Sequence, residues 1–280
     1  MTPTLQTVPS EPSAAERRRL QARARRLAQR AQSLAGEGKF SEAIVCQDEV
    51  TSLRPQDSVA FFHLGLLCRE ARRTEQAVQA LRQATSLSPA DRDPREALTE
   101  TLVDAGRYDE AVREARALLK LAPRSLFARD VLGVSYLQLG QLGKALQVTG
   151  EMIRLDPHNP SHHFRRGLLF QQQGSLQAAM GAYGRALEMA VPEGDIAEDA
   201  AEALEMLDDN QTRQILLLAS EDRLFLLKLR CDVEEAVEER GFCLSEDGLG
   251  RLAHLLPLEF PEQTADPDAL YTASVMRLYN

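Results

Sequence analysis

The chain is 280 residues long, with 33 Lys and Arg against 42 Asp and Glu, a net charge of -9, four cysteines and no tryptophan. That length suits one extended array or two domains, and the N-terminus has no apolar core of signal-peptide type. The longest greasy stretch, Ile215–Leu229, carries Glu221, Asp222, Arg223 and Lys228 and is too short to span a bilayer.

Cys46, Cys68, Cys231 and Cys243 show no paired spacing, so the expectation is a cytoplasmic chain in a reducing compartment. Charge is segregated along the sequence. Residues 1–35 carry seven Arg against two Glu, residues 36–194 are nearly balanced, and residues 195–280 carry seven basic against 20 acidic residues.

Residues 1–13 are rich in Pro, Ser and Thr and are expected to be disordered. A helix is predicted from near Ala14. Leu20, Ala24, Leu27, Ala31 and Leu34 form its apolar stripe, and Arg19, Arg23, Arg26 and Arg30 repeat the same spacing one step away. The arginine stripe reads first as a solvated cap, which terminal repeats need for solubility. The alternative is nucleic-acid or acidic-surface binding, against which stands the absence of interleaved aromatics for base stacking.

From this helix onward the chain repeats every 34 residues. Ala43, Ala77, Ala111, Ala145 and Ala179 keep the beat, as do Pro55, Pro89, Pro123 and Pro157. Units beginning at Ala24, Ser58, Arg92, Leu126 and Pro160 each hold two helical stretches. Position 8 is small in every unit (Ala31, Gly65, Thr99, Gly133, Gly167), and position 27 is apolar (Val50, Ala84, Leu118, Met152, Ala186). Small side chains at positions 8 and 20 let paired helices approach closely. Proline stops the second helix, and Gly38, Gly106, Gly140 and Gly174 mark the turns between paired helices.

This pattern resembles the tetratricopeptide repeat family over about residues 24–191. The resemblance implies an all-α fold: a right-handed superhelical solenoid of five helix-turn-helix repeats, with a small C-terminal helical region after it. It also implies that the first helix of each repeat lines a concave groove. Phe62, His63 and Leu66 then face it from repeat two, Glu96 and Glu100 from repeat three, Phe127, Val131 and Val134 from repeat four, and Phe164, Arg165 and Leu168 from repeat five. Asp93, Ala97, Val103, Asp104 and Asp130 share these positions. The family's carboxylate clamp of Lys, Asn and Arg is missing, since Ala28, Gln32, His63, Asp93 and Ala97 fill its slots. An acidic centre flanked by apolar residues suits a protein or peptide partner with apolar and basic residues. The competing reading has Glu96 and Glu100 pairing with Arg92 and Arg95 on a solvated face.

Beyond Val191 the period is lost. Residues 192–256 are read as a capping and acidic helical region, with helices at Ile196–Leu207, Arg213–Ala219, Glu221–Arg240 (N-cap Ser220, stop at Gly241) and from Ser245 to about Leu255. The run Asp232–Leu252 also resembles the leader region of nitrile-hydratase-like precursor peptides, through Gly241-Phe242 and Leu244-Ser245 between two helices. A small helical domain is the reading carried forward. Residues 257–280 form a Pro-interrupted tail with a short helix at Asp268–Tyr279, expected to pack on the capping helices or else to fold into the groove.

No catalytic constellation stands out. The cluster His158–His163 reads as a surface polar turn, no cysteine or carboxylate arrives at metal spacing, and no phosphate loop is present. The expectation is a non-enzymatic interaction adaptor or scaffold without cofactor or metal, for which nucleic acid is the less favoured partner.

Overall fold

The computed structural model describes residues 13–260, and among these there are fourteen helices and no strand. The expectations for residues 1–12 and for the tail beyond Phe260, including the helix Asp268–Tyr279 and its return to the groove, lie outside the described residues. The chain divides into two compact units, Met1–Leu155 and Asp156–Asn280.

The first unit holds α1 (Ala14–Gly36), α2 (Phe40–Leu53), α3 (Ser58–Glu70), α4 (Thr74–Leu87), α5 (Arg92–Asp104), α6 (Tyr108–Leu121), α7 (Leu126–Gln138) and α8 (Leu142–Leu155). Ser13 belongs to this fold rather than to a disordered tail. It caps α1, accepting from the Glu16 N–H while the Glu16 carboxylate accepts from the Ser13 N–H, a reciprocal capping box. From α1 to α7 each helix packs on its successor. In addition α3 touches α5 and α5 touches α7, so the first helices of successive repeats form a row of their own.

The 34-residue beat has a physical cause at each position. The five ladder alanines are fully buried, and Val50, Ala84, Leu118, Met152 and Ala186 are buried with them. At position 8 the need for a small residue differs between repeats. A Cβ on Gly65 would lie 2.5 Å from Leu81 Cγ, and one on Gly167 would lie 2.5 Å from the Tyr183 ring, so glycine is required at both. A Cβ on Gly133 would meet nothing within 4 Å.

A second beat sets the helix starts. Asp57, Asp91, Ser125 and Asn159 each precede a first helix and accept an N–H from its first turn. Between paired helices the chain turns through the left-handed region at Gly38, Gly106, Gly140 and Gly174, and Arg72 takes that position in repeat two with φ of 58°.

The second unit holds α9 (Pro160–Gln173), α10 (Leu176–Met189), α11 (Asp195–Glu221), α12 (Arg223–Cys231), α13 (Val233–Glu239) and α14 (Glu246–Glu259). Here α10 packs on α9 and α11, α12 and α14 pack on α11, and α13 packs on α12 and α14.

Three helix boundaries of this unit differ from the sequence expectations. The segments Ile196–Leu207 and Arg213–Ala219 are one helix, because no glycine or proline interrupts them and the buried face continues through Asp208, Gln211 and Thr212. The stretch Glu221–Arg240 is two helices. Asp222 accepts from the N–H groups of Leu224 and Phe225, and Asp232 accepts from that of Glu235, so each aspartate starts a new helix. Ser220 is no cap, and its hydroxyl donates back to the Leu217 carbonyl at 2.6 Å. Finally, α14 runs through Pro257 to Glu259, held by Leu252 and Leu256, which are buried in a core with Ile215, Phe225, Leu229 and Val237.

Candidate partner-binding surface

The row α3, α5, α7 positions the predicted contacts of the first unit. On α3, His63 is exposed while Phe62 and Leu66 are half-buried, and the Phe62 and His63 rings lie 6.0 Å apart. On α7, Phe127 is 36% exposed and Val134 is half-buried. Val131 is only 7% exposed: it is part of the helix packing and offers a partner little area. Val59, exposed at the second position of repeat two, was missed, although it occupies the slot that Phe127 fills in repeat four.

The carboxylates of α5 decide the electrostatics. Glu100 forms an ion pair with Arg69 of α3, and Arg95 pairs with Glu114 of α6 at 2.5 Å. The expected pairing of Glu96 and Glu100 with Arg92 and Arg95 is therefore not what forms. Among the described residues Asp93, Glu96 and Asp104 make no ion pair. They recur at helical spacing over 11 residues, roughly 16 Å of α5. The outer helices behave differently. There Arg107 bonds Glu110 at 2.7 Å and Arg82 adds a second pair, which together hold the Glu110 carboxyl below its ordinary range. Glu110 and Glu114 of α6 are thus paired, whereas three of the four carboxylates of α5 are not.

In the second unit, Phe164, Arg165 and Leu168 lie on α9. Leu168 is 45% exposed. Phe164 is half-buried, its ring 5.5 Å from that of Tyr183, so much of it belongs to the core of Ala179, Met180 and Tyr183. Arg165 is half-buried. The histidines of the predicted surface turn are a correction, since His162 and His163 are buried in the first turn of α9. Among the described residues no group of three or more His, Cys, Asp or Glu is placed to hold a metal ion.

A family model described as tetratricopeptide repeat matches residues 21–164, and a second of the same description matches residues 131–200. The chain belongs to the tetratricopeptide repeat family. Tetratricopeptide repeat proteins are protein-interaction scaffolds. Among solved structures, this chain is similar to MamA (41-end) from Desulfovibrio magneticus RS-1, at 19% identity and TM-score 0.54 over 60% of this chain and 94% of that one. It is similar to MamA MSR-1 at 23% identity and TM-score 0.51, over 60% and 96%. It is similar to YrrB, described as a tetratricopeptide repeat protein with an unusual peptide-binding site, at 17% identity and TM-score 0.53, over 63% and 90%. A comparison with curated proteins gives no match. Among the described residues of this tetratricopeptide repeat protein, no helix is long and apolar enough to cross a membrane.

Proposed function

We propose that this protein is a non-enzymatic adaptor whose α3, α5, α7 row holds a segment of a protein partner bearing Lys or Arg beside apolar side chains. The observation that carries this reading is the uncompensated carboxylate line Asp93, Glu96 and Asp104, with exposed Phe127 and Val59 and half-buried Phe62 and Leu66 on the helices to either side. Basic groups of a partner gain charge-assisted bonds there, and apolar side chains gain burial on the flanks. A terminal carboxylate gains neither, because the basic clamp residues are missing. On the second unit, Leu168 and Arg165 of α9 offer a contact of their own, as do the open parts of Phe164. YrrB supports the reading as a protein of similar fold described by its peptide-binding site.

The neutral variant Glu96→Gln with Asp104→Asn keeps the Arg69–Glu100 pair and removes two uncompensated charges. Capture of a Lys/Leu-containing peptide is expected to weaken about 10-fold in this variant at low salt, read by surface plasmon resonance. Equal binding by the variant sinks the proposal.

A second reading rests on α1. Arg18, Arg19, Arg25, Arg26 and Arg30 are exposed and form no ion pair among the described residues, whereas Arg23 pairs with Glu49. This face suits an acidic surface or nucleic acid. A steep fall of RNA binding with salt, abolished by Arg19→Gln with Arg26→Gln, supports it; partner capture that survives nuclease treatment favours the first reading.

A further inference from the structure

Repeat five departs from its neighbours at one slot between its two helices. In repeat three the fourth residue, Arg95, pairs with Glu114 on the second helix. In repeat four the fourth residue, Arg129, pairs with Glu151 at 3.1 Å. In repeat five the fourth residue is His163, the counterpart of Glu114 is Ala182 and that of Glu151 is Arg185. The seventh residue, a leucine at 64, 98 and 132, is Arg166. All the carboxylate of the slot is gone, and cationic groups stand in its place.

These residues line a cavity of about 270 Å³ with Phe170, Gln177 and Ala182, all from α9 and α10. His163 is only 4% exposed. Its Nε2 lies 2.9 Å from the Pro157 carbonyl, which can only accept, so Nε2 carries the proton. Its Nδ1 is buried without a hydrogen-bond partner, although a buried polar atom of that kind costs free energy. Arg166 lies over the Phe170 ring at 5.2 Å, which keeps its guanidinium beside the cavity. Neither Arg166 nor Arg185 forms an ion pair among the described residues.

We propose that this cavity is an oxyanion site, taking a carboxylate or phosphate group beside the fourth residue, where Glu114 in repeat three and Glu151 in repeat four supply a carboxylate from the second helix. Arg166 and Arg185 supply charge-assisted donors. On binding, His163 takes up a proton at Nδ1, so that one ring nitrogen donates to the Pro157 carbonyl and the other to the anion. The charged groups that line the cavity with the imidazole are Arg166 from α9 and Arg185 from α10; Asp156, in the turn before α9, accepts from the Asn159 side chain at 3.1 Å. Binding with uptake of that proton tightens as pH falls.

The test is titration of the full chain with inorganic phosphate and, separately, acetate, following the side-chain nitrogens of His163 by NMR. Saturable binding is expected, with Nδ1 moving from a lone-pair to a protonated signal. The tighter of the two probes identifies the oxyanion. Arg185→Glu places a carboxylate where repeat four has Glu151, and is expected to weaken binding at least ~10-fold while the thermal midpoint holds or rises. His163→Asn, which cannot take up that proton, is expected to remove the pH dependence of acetate binding near neutral pH. No saturable response to either anion, or equal affinity in Arg185→Glu, overturns the proposal.

Discussion

Gly65 and Gly167 sit under Leu81 and Tyr183 with no room for a methyl group, whereas Gly133 faces open space. Gly65→Ala and Gly167→Ala are each expected to destabilise by about 1–3 kcal/mol through overpacking. Gly133→Ala is expected to be neutral or to stabilise by up to ~1 kcal/mol, from helix propensity alone. Urea unfolding of the three variants checks this, and equal effects at all three positions contradict it. Arg72 adopts φ of 58° where other repeats use glycine. Arg72→Gly is expected to gain about 0.5–1 kcal/mol, the left-handed penalty less the entropy glycine loses on folding; a lower urea midpoint refutes this. Tyr183 carries its own pH signature. Burial raises its phenol from 10.0 to about 12, so the folded state favours the protonated form. Its contribution to stability is fully present below pH 10 and is lost as pH rises towards about 12, roughly 2–3 kcal/mol in all. Tyr183→Phe is expected to lack that component of alkaline unfolding.

Among the elements, the repeat helices were legible in the sequence because their starts and stops are set locally. Ser58, Arg92, Leu126 and Pro160 each begin a helix where the period placed one. The capping beat Asp57, Asp91, Ser125, Asn159 is an equally local signal in the sequence. The C-terminal helices were less legible because tertiary contacts shape them. Asp208 is buried mid-way along α11, where it accepts from the Ser245 N–H at 2.9 Å and from the Ser245 hydroxyl, and Gly248 leaves room for its carboxylate. Gln211, one turn on, accepts from the Cys243 N–H at 2.9 Å and donates to the Cys243 carbonyl at 2.6 Å. These two side chains fix the loop that starts α14, and no local pattern announces a contact 37 residues away in sequence. Asp208→Ala is expected to cost about 2–3 kcal/mol, because it strands buried donors. Hydrogen exchange should then show early loss of protection in α14 while α1 to α8 keep theirs; unchanged α14 protection argues against this role.

At the scale of the whole molecule, charge was legible and pairing was not. Composition located the acidic C-terminal region and the basic α1, and repeat position located α5 as the acidic centre of the first-helix row. Which carboxylates stay uncompensated depends on neighbours a repeat away: Arg69 reaches Glu100 from α3, and Arg95 turns to Glu114. Burial likewise sorted the candidate anchors. Phe127 and Leu168 stay open, while Val131 and much of Phe164 are committed to helix packing. The central claim is that the α5 carboxylates select a basic, apolar segment. Fluorescence anisotropy of a labelled peptide alternating Lys with Leu tests it most directly, with wild type compared to Glu96→Lys with Glu100→Lys. The account predicts saturable binding by wild type that weakens with salt, and a loss of roughly 10–100-fold in the double variant with its helical circular dichroism retained. Equal affinity for both proteins, or tighter binding of a Glu/Leu peptide by wild type, would contradict it.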